Sequence, residues 1–166
     1  MVRLERMIRP DTVIFTSIGE AHQENFTSLE EKSAEKLVLA KGARTIIYHG
    51  GSSLLERMIR TLYGGRQLQD AAEYPLPEQL PAGVLESGAG RVDAQLVGAF
   101  CRVMGFPDPD FGRIRPVAMR LELKEGINGS LLIDDAYNSD INSLSIALDY
   151  LHNMAAGRPM TLILSD

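Results

Sequence analysis

Residues that could do chemistry stand close together near the start of the chain. His22 follows residues 12–16, a β-branched and aromatic run that predicts a buried strand. The histidine therefore lies just past the carboxyl end of a strand, where open α/β sheets bind their ligands. A neutral imidazole can hold a divalent ion, whereas a lysine ammonium has donors but no acceptor. The sequence thus points to a small polar site at this strand end.

A capped helix is predicted directly after that site. Ser28 and Glu31 have the spacing of a capping box, and apolar residues at helical spacing extend the helix over 28–41. Lys32 and Lys36 are four residues apart and therefore fall on one side of this helix. Because lysines are mostly solvated, we expect Lys32 to be an ordinary surface residue.

Alternating strands and helices are predicted for the rest of the chain, which is typical of an α/β fold. Residues 70–90 are rich in proline and glycine and predict a linker or a shortened loop. A strand, helix and strand at the end of the chain predict a βαβ crossover. The predicted elements are strand 45–48, helix 53–63, helix 91–104, a hairpin of strands around 119–124 and 130–133 with a tight turn at Asn128-Gly129, a helix ending near 155, and a buried strand at 161–164.

Several other polar residues are expected to be structural. His49 precedes Gly50-Gly51 and predicts a loop imidazole, because no second metal-binding residue stands at a useful spacing. Asp108 and Asp110 lie in a proline-rich turn and are expected to be solvated. Cys101 stands among apolar residues and is expected to be buried in a core.

Composition excludes several classes of protein. The chain has 166 residues, 45% of them hydrophobic, which is enough to form a packed core. No apolar run is long enough to span a membrane, and no signal-peptide pattern is present. The formal charge of −5 argues against a nucleic-acid footprint. A single cysteine suits a reducing compartment, so we expect a cytoplasmic location.

Two stretches carry a resemblance to a known family. Residues 18–26 (Ile-Gly-Glu-Ala-His-Gln-Glu-Asn-Phe) followed by Lys36, and residues 134–140 (Asp-Asp-Ala-Tyr-Asn-Ser-Asp), resemble the Mur ligases. These are ATP-dependent ligases that build the peptide of bacterial cell-wall precursors. The sequence of residues 137–144 is similar to that of a form of these ligases that is fused to an alanine racemase. The resemblance covers about residues 2–48 and 115–166.

The resemblance implies a domain organisation and a reaction. Residues 1–126 would be an incomplete Mur-ligase central domain, which binds ATP, and residues 127–166 would open a Rossmann-like C-terminal domain with its βαβ unit. The implied enzyme joins D-alanyl-D-alanine to a UDP-N-acetylmuramoyl-tripeptide through an acyl-phosphate. Another Mur-type or folylpolyglutamate-type ligase, or a non-catalytic remnant that keeps the fold as an interaction domain, remain alternatives.

The resemblance also implies roles for individual residues. His22 would be catalytic and bind magnesium, and Lys36 would be catalytic and carbamylated, which turns a cation into a carboxylate-like ligand. Glu20 and Glu24 flank His22 and either orient it or lie near the metal, or they are plain carboxylates of a loop or a helix entry. The residues implied to contact the nucleotide are Arg120, Asp135, Tyr137 and Asn138. From the sequence alone, Arg120 could instead pair with a neighbouring carboxylate, Asp135 and Asn138 could cap the following helix, and Tyr137 could simply pack.

The sequence departs from the family pattern in two places. No Gly-x-x-Gly-Lys-Ser/Thr phosphate loop occurs in the 166 residues, so the isolated chain is expected to be a fragment that neither hydrolyses ATP nor forms the amide. Asp93 and Leu96 stand where the family has two asparagines, the first of them near the adenine. This difference puts an ordinary adenine pocket in doubt.

Overall fold

The computed structural model describes residues 1–19, 25–76, 80, 88–114, 120–137 and 141–164, without the side chain of residue 142. Two compact units divide these residues: unit 1 comprises Met1–Glu78 with Val92–Asp110, and unit 2 comprises Gln79–Arg91 with Phe111–Asp166. Each unit has its own sheet among the described strands. The predicted boundary between residues 126 and 127 falls inside unit 2 and stays a prediction.

Unit 1 is built on a parallel sheet. The strands are β1 (Thr12–Phe15), β2 (Thr45–Tyr48) and β3 (Gln67–Asp70), paired in that order. All four residues of β2 are buried, as expected for the middle strand of a parallel sheet covered on both faces. The mixed α/β class predicted from the sequence is confirmed.

Helices cover both faces of β2. On one face, α2 (Leu29–Leu37) and α3 (Ser53–Tyr63) contribute Leu37, Leu55 and Ile59 to a core that includes Ile46 and Tyr48. On the other face, Ile47 packs with Ala71 and Tyr74 and with Leu96 and Ala99 of α4 (Gly88–Met104). The predicted helices are thus present, although a 3₁₀ turn at Val38–Ala40 replaces the end of α2 and α4 begins before residue 91.

The edges of this sheet differ from expectation. The predicted strand β1 is present, but it pairs only with β2 among the described strands and is buried only in part: Phe15 is in the core, whereas Ile14 is 39% exposed. β3 was missed, because Gln67, Gln69 and Asp70 lack the β-branched character of a typical strand. An edge strand tolerates such polar residues. A short helix α1 (Val2–Ile8) precedes β1 and buries none of its residues.

The start of the predicted linker is packed. Asp70 caps a 3₁₀ turn at Ala71–Glu73 by accepting from the backbone N–H of Ala72. Ala71 is fully buried and Tyr74 is 5% exposed, so this part of residues 70–90 belongs to the core rather than to a linker. Cys101, by contrast, is only half-buried, which corrects the expectation of a core thiol.

Unit 2 contains an antiparallel hairpin of β4 (Glu122–Glu125) and β5 (Leu131–Asp134). Asn128 and Gly129 both have positive φ, 57° and 72°, which are the angles of the type I′ turn that favours Asn-Gly. The predicted hairpin is confirmed, although its first strand begins at Glu122, and residue 119 of the predicted strand lies outside the described residues. Leu121 and Leu123 alternate with Glu122 and Lys124 in the sequence, which predicts a half-buried strand with the leucines inward. The burial differs, since Leu123 is 40% exposed while Glu122 and Lys124 are partly buried.

The final helix of unit 2 is α5 (Ile141–Ala155), as predicted, and Gly157 follows it with a φ of 83°. Tyr150 is its buried residue among those described. Residues 160–164 form no strand, and Ile163 is 84% exposed. The predicted buried strand and the βαβ unit it would complete are therefore absent, because an extended segment needs a paired neighbour. Within the described ranges, no helix is both long and apolar enough to span a membrane.

Candidate functional site

The segment between β1 and α2 is tied to the first turn of α2. Ser28 Oγ accepts from the backbone N–H of Glu31 at 3.1 Å, which confirms the predicted cap. Glu31 reaches one residue further back than in a capping box: its carboxylate accepts from the N–H and the hydroxyl of Thr27 at 2.7 and 2.6 Å. The Thr27 hydroxyl, and then its N–H, lower the pKa of Glu31.

Lys32 is buried, and the expectation of a solvated lysine was wrong. The residue is 6% exposed, and its ammonium donates to the backbone carbonyl of Gly19, beyond the end of β1. A buried ammonium requires hydrogen-bond acceptors, and the carbonyl supplies one. Helical periodicity could not show this, because it does not reveal where the loop carbonyls lie.

Lys36 lies one turn further along α2. It is half-buried, and its ammonium has no hydrogen-bond or ion-pair partner within the described part of the chain. His22, Glu20 and Glu24 lie outside the described residues, so the pairing of His22 with Lys36 stays a prediction. No group of three metal-binding side chains occurs among the residues that the structure places.

The carboxyl ends of β2 and β3 hold a polar network that the sequence did not reveal. His49 Nδ1 accepts from the backbone N–H of Gly51 at 3.1 Å, and Nε2 lies 3.0 Å from Gln95 Oε1. The amide nitrogen of Gln95 donates to the carbonyls of Ala72 and Tyr74, so its oxygen faces the histidine. These hydrogen bonds join His49 at the end of β2 to Gln95 of α4.

Asp70 and Tyr74 extend this network. Asp70 accepts from the N–H of Gly50 at 2.8 Å, and a Cβ at Gly50 would overlap its carboxylate. Asp108 is exposed, as expected, and it also accepts from the hydroxyl of Tyr74 at 2.9 Å. Burial, followed by this bond to Asp108, raises the pKa of Tyr74. Asp70 and Tyr74 therefore make hydrogen bonds that stabilise the fold at this end of the sheet.

The two departures from the family pattern have different surroundings. Leu96 is 3% exposed and belongs to the core with Ile47, so its side chain is not available to a ligand. Asp93 keeps much of its side chain at the surface, while partial burial of the carboxyl raises its pKa. The expectation that these two positions depart from an ordinary adenine pocket stays a prediction.

Three of the predicted nucleotide-binding residues come together in unit 2. The guanidinium of Arg120 lies 4.6 Å from the centre of the Tyr137 ring, a cation–π contact. Asp135 Oδ1 accepts from the backbone N–H of Leu121 at 3.1 Å, and Leu121 has a φ of 47°, unusual for a side chain of its kind. Asn138 lies outside the described residues.

This arrangement places a cation on an exposed aromatic ring. Tyr137 is 66% exposed and Arg120 is exposed as well, so both remain accessible to a ligand. Asp135 is half-buried, and its hydrogen bond to the backbone of Leu121 fixes the chain next to Arg120. A groove of about 350 Å³ elsewhere in unit 2 is lined by residues of α5 and by Gly88 and Ala89, and contains none of the predicted site residues.

The fold and these residues define a mixed α/β protein with polar residues at the carboxyl ends of a parallel sheet. Among curated proteins, the chain is similar to the UDP-N-acetylmuramoyl-tripeptide–D-alanyl-D-alanine ligase of Bacillus subtilis (strain 168), with 26% identity over 186 aligned positions. The match covers 98% of this chain and 41% of that ligase, so the chain spans less than half of its relative. No family model and no solved structure matches the chain.

Proposed function

We propose that this chain is part of an ATP-dependent amide ligase of bacterial peptidoglycan precursor synthesis. The observation that carries the proposal is the similarity to a ligase of that kind along 98% of the chain. The order of the motifs around residues 18–36 and 134–140 supports the same assignment. By this proposal, residues 1–126 belong to a central ATP-binding domain and residues 127–166 to the next domain.

The reaction would transfer the γ-phosphoryl group of ATP to a carboxylate and then let an amine displace the phosphate. Such a transfer concentrates negative charge, so positioned cations and donors supply most of the catalysis. Arg120 would contact phosphate or ribose oxygens, for which its planar fork is suited. Tyr137, Asp135 and Asn138 would line the nucleotide beside it.

The residues proposed to hold a metal are His22 and Lys36. Lys36 has no described partner, so its amine is available to take up carbon dioxide, and a carbamate would provide the oxygen ligand that magnesium prefers. Bound magnesium would supply charge stabilisation to the transferring group. The imidazole of His22 would be the second protein ligand.

The proposed substrates follow the resemblance and the relative. They are UDP-N-acetylmuramoyl-tripeptide as the carboxylate donor and D-alanyl-D-alanine as the amine, handled in the cytoplasm. A fused alanine racemase domain, if the protein carries one, would provide D-alanine for the dipeptide.

The test is a substrate-dependent assay of the complete protein that carries this chain. Purified protein is mixed with ATP, magnesium and the UDP-linked tripeptide, and the amine is varied between D-alanyl-D-alanine, L-alanyl-L-alanine and single amino acids. We expect ADP and the pentapeptide product only with D-alanyl-D-alanine. Product with a different amine would reassign the acceptor, and no product with any amine would refute the ligase.

A further inference from the structure

Lys32 occupies an unusual place for a lysine. It is 6% exposed on α2, between the capped first turn and Lys36, and its ammonium donates to the carbonyl of Gly19. Lysines are almost never this deeply buried without a partner. Burying a cation here is expensive, so the contact with the Gly19 carbonyl offsets part of a real cost.

Hydrogen bonds join α2 to both described ends of the segment that precedes it, and the contact of Lys32 is one of them. Gly19, on the β1 side of that segment, is held by Lys32. Thr27, at the other end, is held by the carboxylate of Glu31, and Ser28 caps the same turn. Both described ends are thus fixed to one turn of α2.

The same helix carries Lys36 one turn later. A residue four positions away on a helix lies on the same side, so the tie at Lys32 sets the distance between the exit of β1 and Lys36. The ammonium of Lys32 is directed to a backbone carbonyl, and the side chain is enclosed by protein. Its location therefore suits it to hold other groups rather than to touch a substrate.

We propose that Lys32 is a positioning residue of the ligase site, which fixes the exit of β1 against Lys36. This inference rests on the proposed function. Misplacing a reacting group by about 1 Å can lower a rate by about a hundredfold, so such a tie affects turnover more than substrate binding.

The test compares Lys32→Met with Lys41→Met in the complete protein. Both replace a lysine ammonium by an apolar chain of similar length, but Lys41 is exposed and its side chain has no described partner. Hydrogen exchange is measured for residues 16–28 and for β2, and kcat and KM are measured with ATP and both substrates.

We expect Lys32→Met to speed exchange in residues 16–28, to leave exchange in β2 unchanged, and to lower kcat by about tenfold or more with little change in KM. Lys41→Met should match the wild-type protein in every measurement. Lys32→Arg, which keeps a charged donor, should recover part of kcat. Lys32→Gln is measured by the same criteria if Lys32→Met does not fold.

Two results would overturn the positioning role. One is exchange and kcat in the Lys32 variants equal to those of Lys41→Met. The other is faster exchange throughout β2, which would mean that Lys32 only stabilises the fold. A wild-type protein with no ligase activity would refute the proposed function, whereas the exchange comparison would still decide whether Lys32 holds the exit of β1.

Discussion

The strand β2 of unit 1 and the hairpin of unit 2 were predicted with similar ease but have opposite surroundings. Every residue of β2 is buried between helices on its two faces. In the hairpin, Leu132 is 51% exposed and Leu123 is 40% exposed, whereas the side chains of Asp134 and Glu122, which both pair with Lys124, are only 22% and 25% exposed.

This difference shows that local pattern and burial are separate properties. An Asn-Gly turn and alternating residues are sufficient to specify a hairpin, because its hydrogen bonds are local. Burial requires a second layer, and only in unit 1 do the described helices provide one on both sides of a strand. Stability should therefore depend on side-chain volume at β2 and on turn and charge contacts at the hairpin.

The largest effect is expected from Ile47→Ala in β2. Ile47 is fully buried against Leu96 and Ala99, so its truncation leaves a cavity and should lower the free energy of unfolding by about 2–5 kcal/mol. Leu132→Ala in the hairpin is the matched change and should cost less than about 1 kcal/mol. Urea unfolding of both variants measures the difference. Equal costs would mean that the two regions are packed alike.

A smaller effect is expected from Gly98→Ala in α4. A Cβ at Gly98 would overlap the ring of Tyr74, which bonds Asp108 and lies 4.8 Å from the guanidinium of Arg102. Moving this ring should cost about 1–3 kcal/mol, more than alanine gains as a helix former. Gly88→Ala, which meets no atom within 4 Å, is the control in the same helix and should be neutral or slightly stabilising. A stable Gly98→Ala protein would show that the Tyr74 side chain is loosely held.

The smallest effect on stability is expected when a low pH protonates Asp134 in the hairpin. The bond from Lys124 lowers the pKa of Asp134, so the carboxylate contributes fully above the ordinary aspartate pKa of about 3.9. That contribution is lost as the pH falls through the lower, folded-state pKa. NMR shifts of the β4 and β5 amides should follow this titration, and Asp134→Asn should abolish it. A titration midpoint at or above the ordinary value would contradict the pairing.

Several elements could be predicted because their signals are local. The Ser28 cap, the Asn128-Gly129 turn and the apolar run of β2 all depend on neighbours in the sequence, and the structure has them where expected. The prediction of a strand at 161–164 was wrong because its signal was not sufficient: a strand also needs a pairing partner, which a local pattern does not reveal.

The residues of the candidate site also differ in whether the sequence could predict their contacts. Arg120 and Tyr137 were each predicted from the resemblance, and the turn of the hairpin brings them together. The contact of Lys32 with Gly19 joins residues 13 positions apart in the sequence, and the contact of His49 with Gln95 joins residues 46 positions apart. No local sequence motif predicts contacts of this kind. His22 lies outside the described residues, and its role stays a prediction.

The central claim is that Lys36 acts in a metal-assisted phosphoryl transfer. Carbamate forms from carbon dioxide and a neutral amine, and a short carboxylate can take its place when the side chain is removed. The measurement is the amide-forming rate of Lys36→Ala in the complete protein, with and without acetate or formate, beside Lys41→Ala and Lys32→Met. We predict a severe loss for Lys36→Ala that either carboxylate partly restores, no loss for Lys41→Ala, and a loss for Lys32→Met that neither restores. Full activity of Lys36→Ala, or a loss that no carboxylate relieves, would contradict the claim.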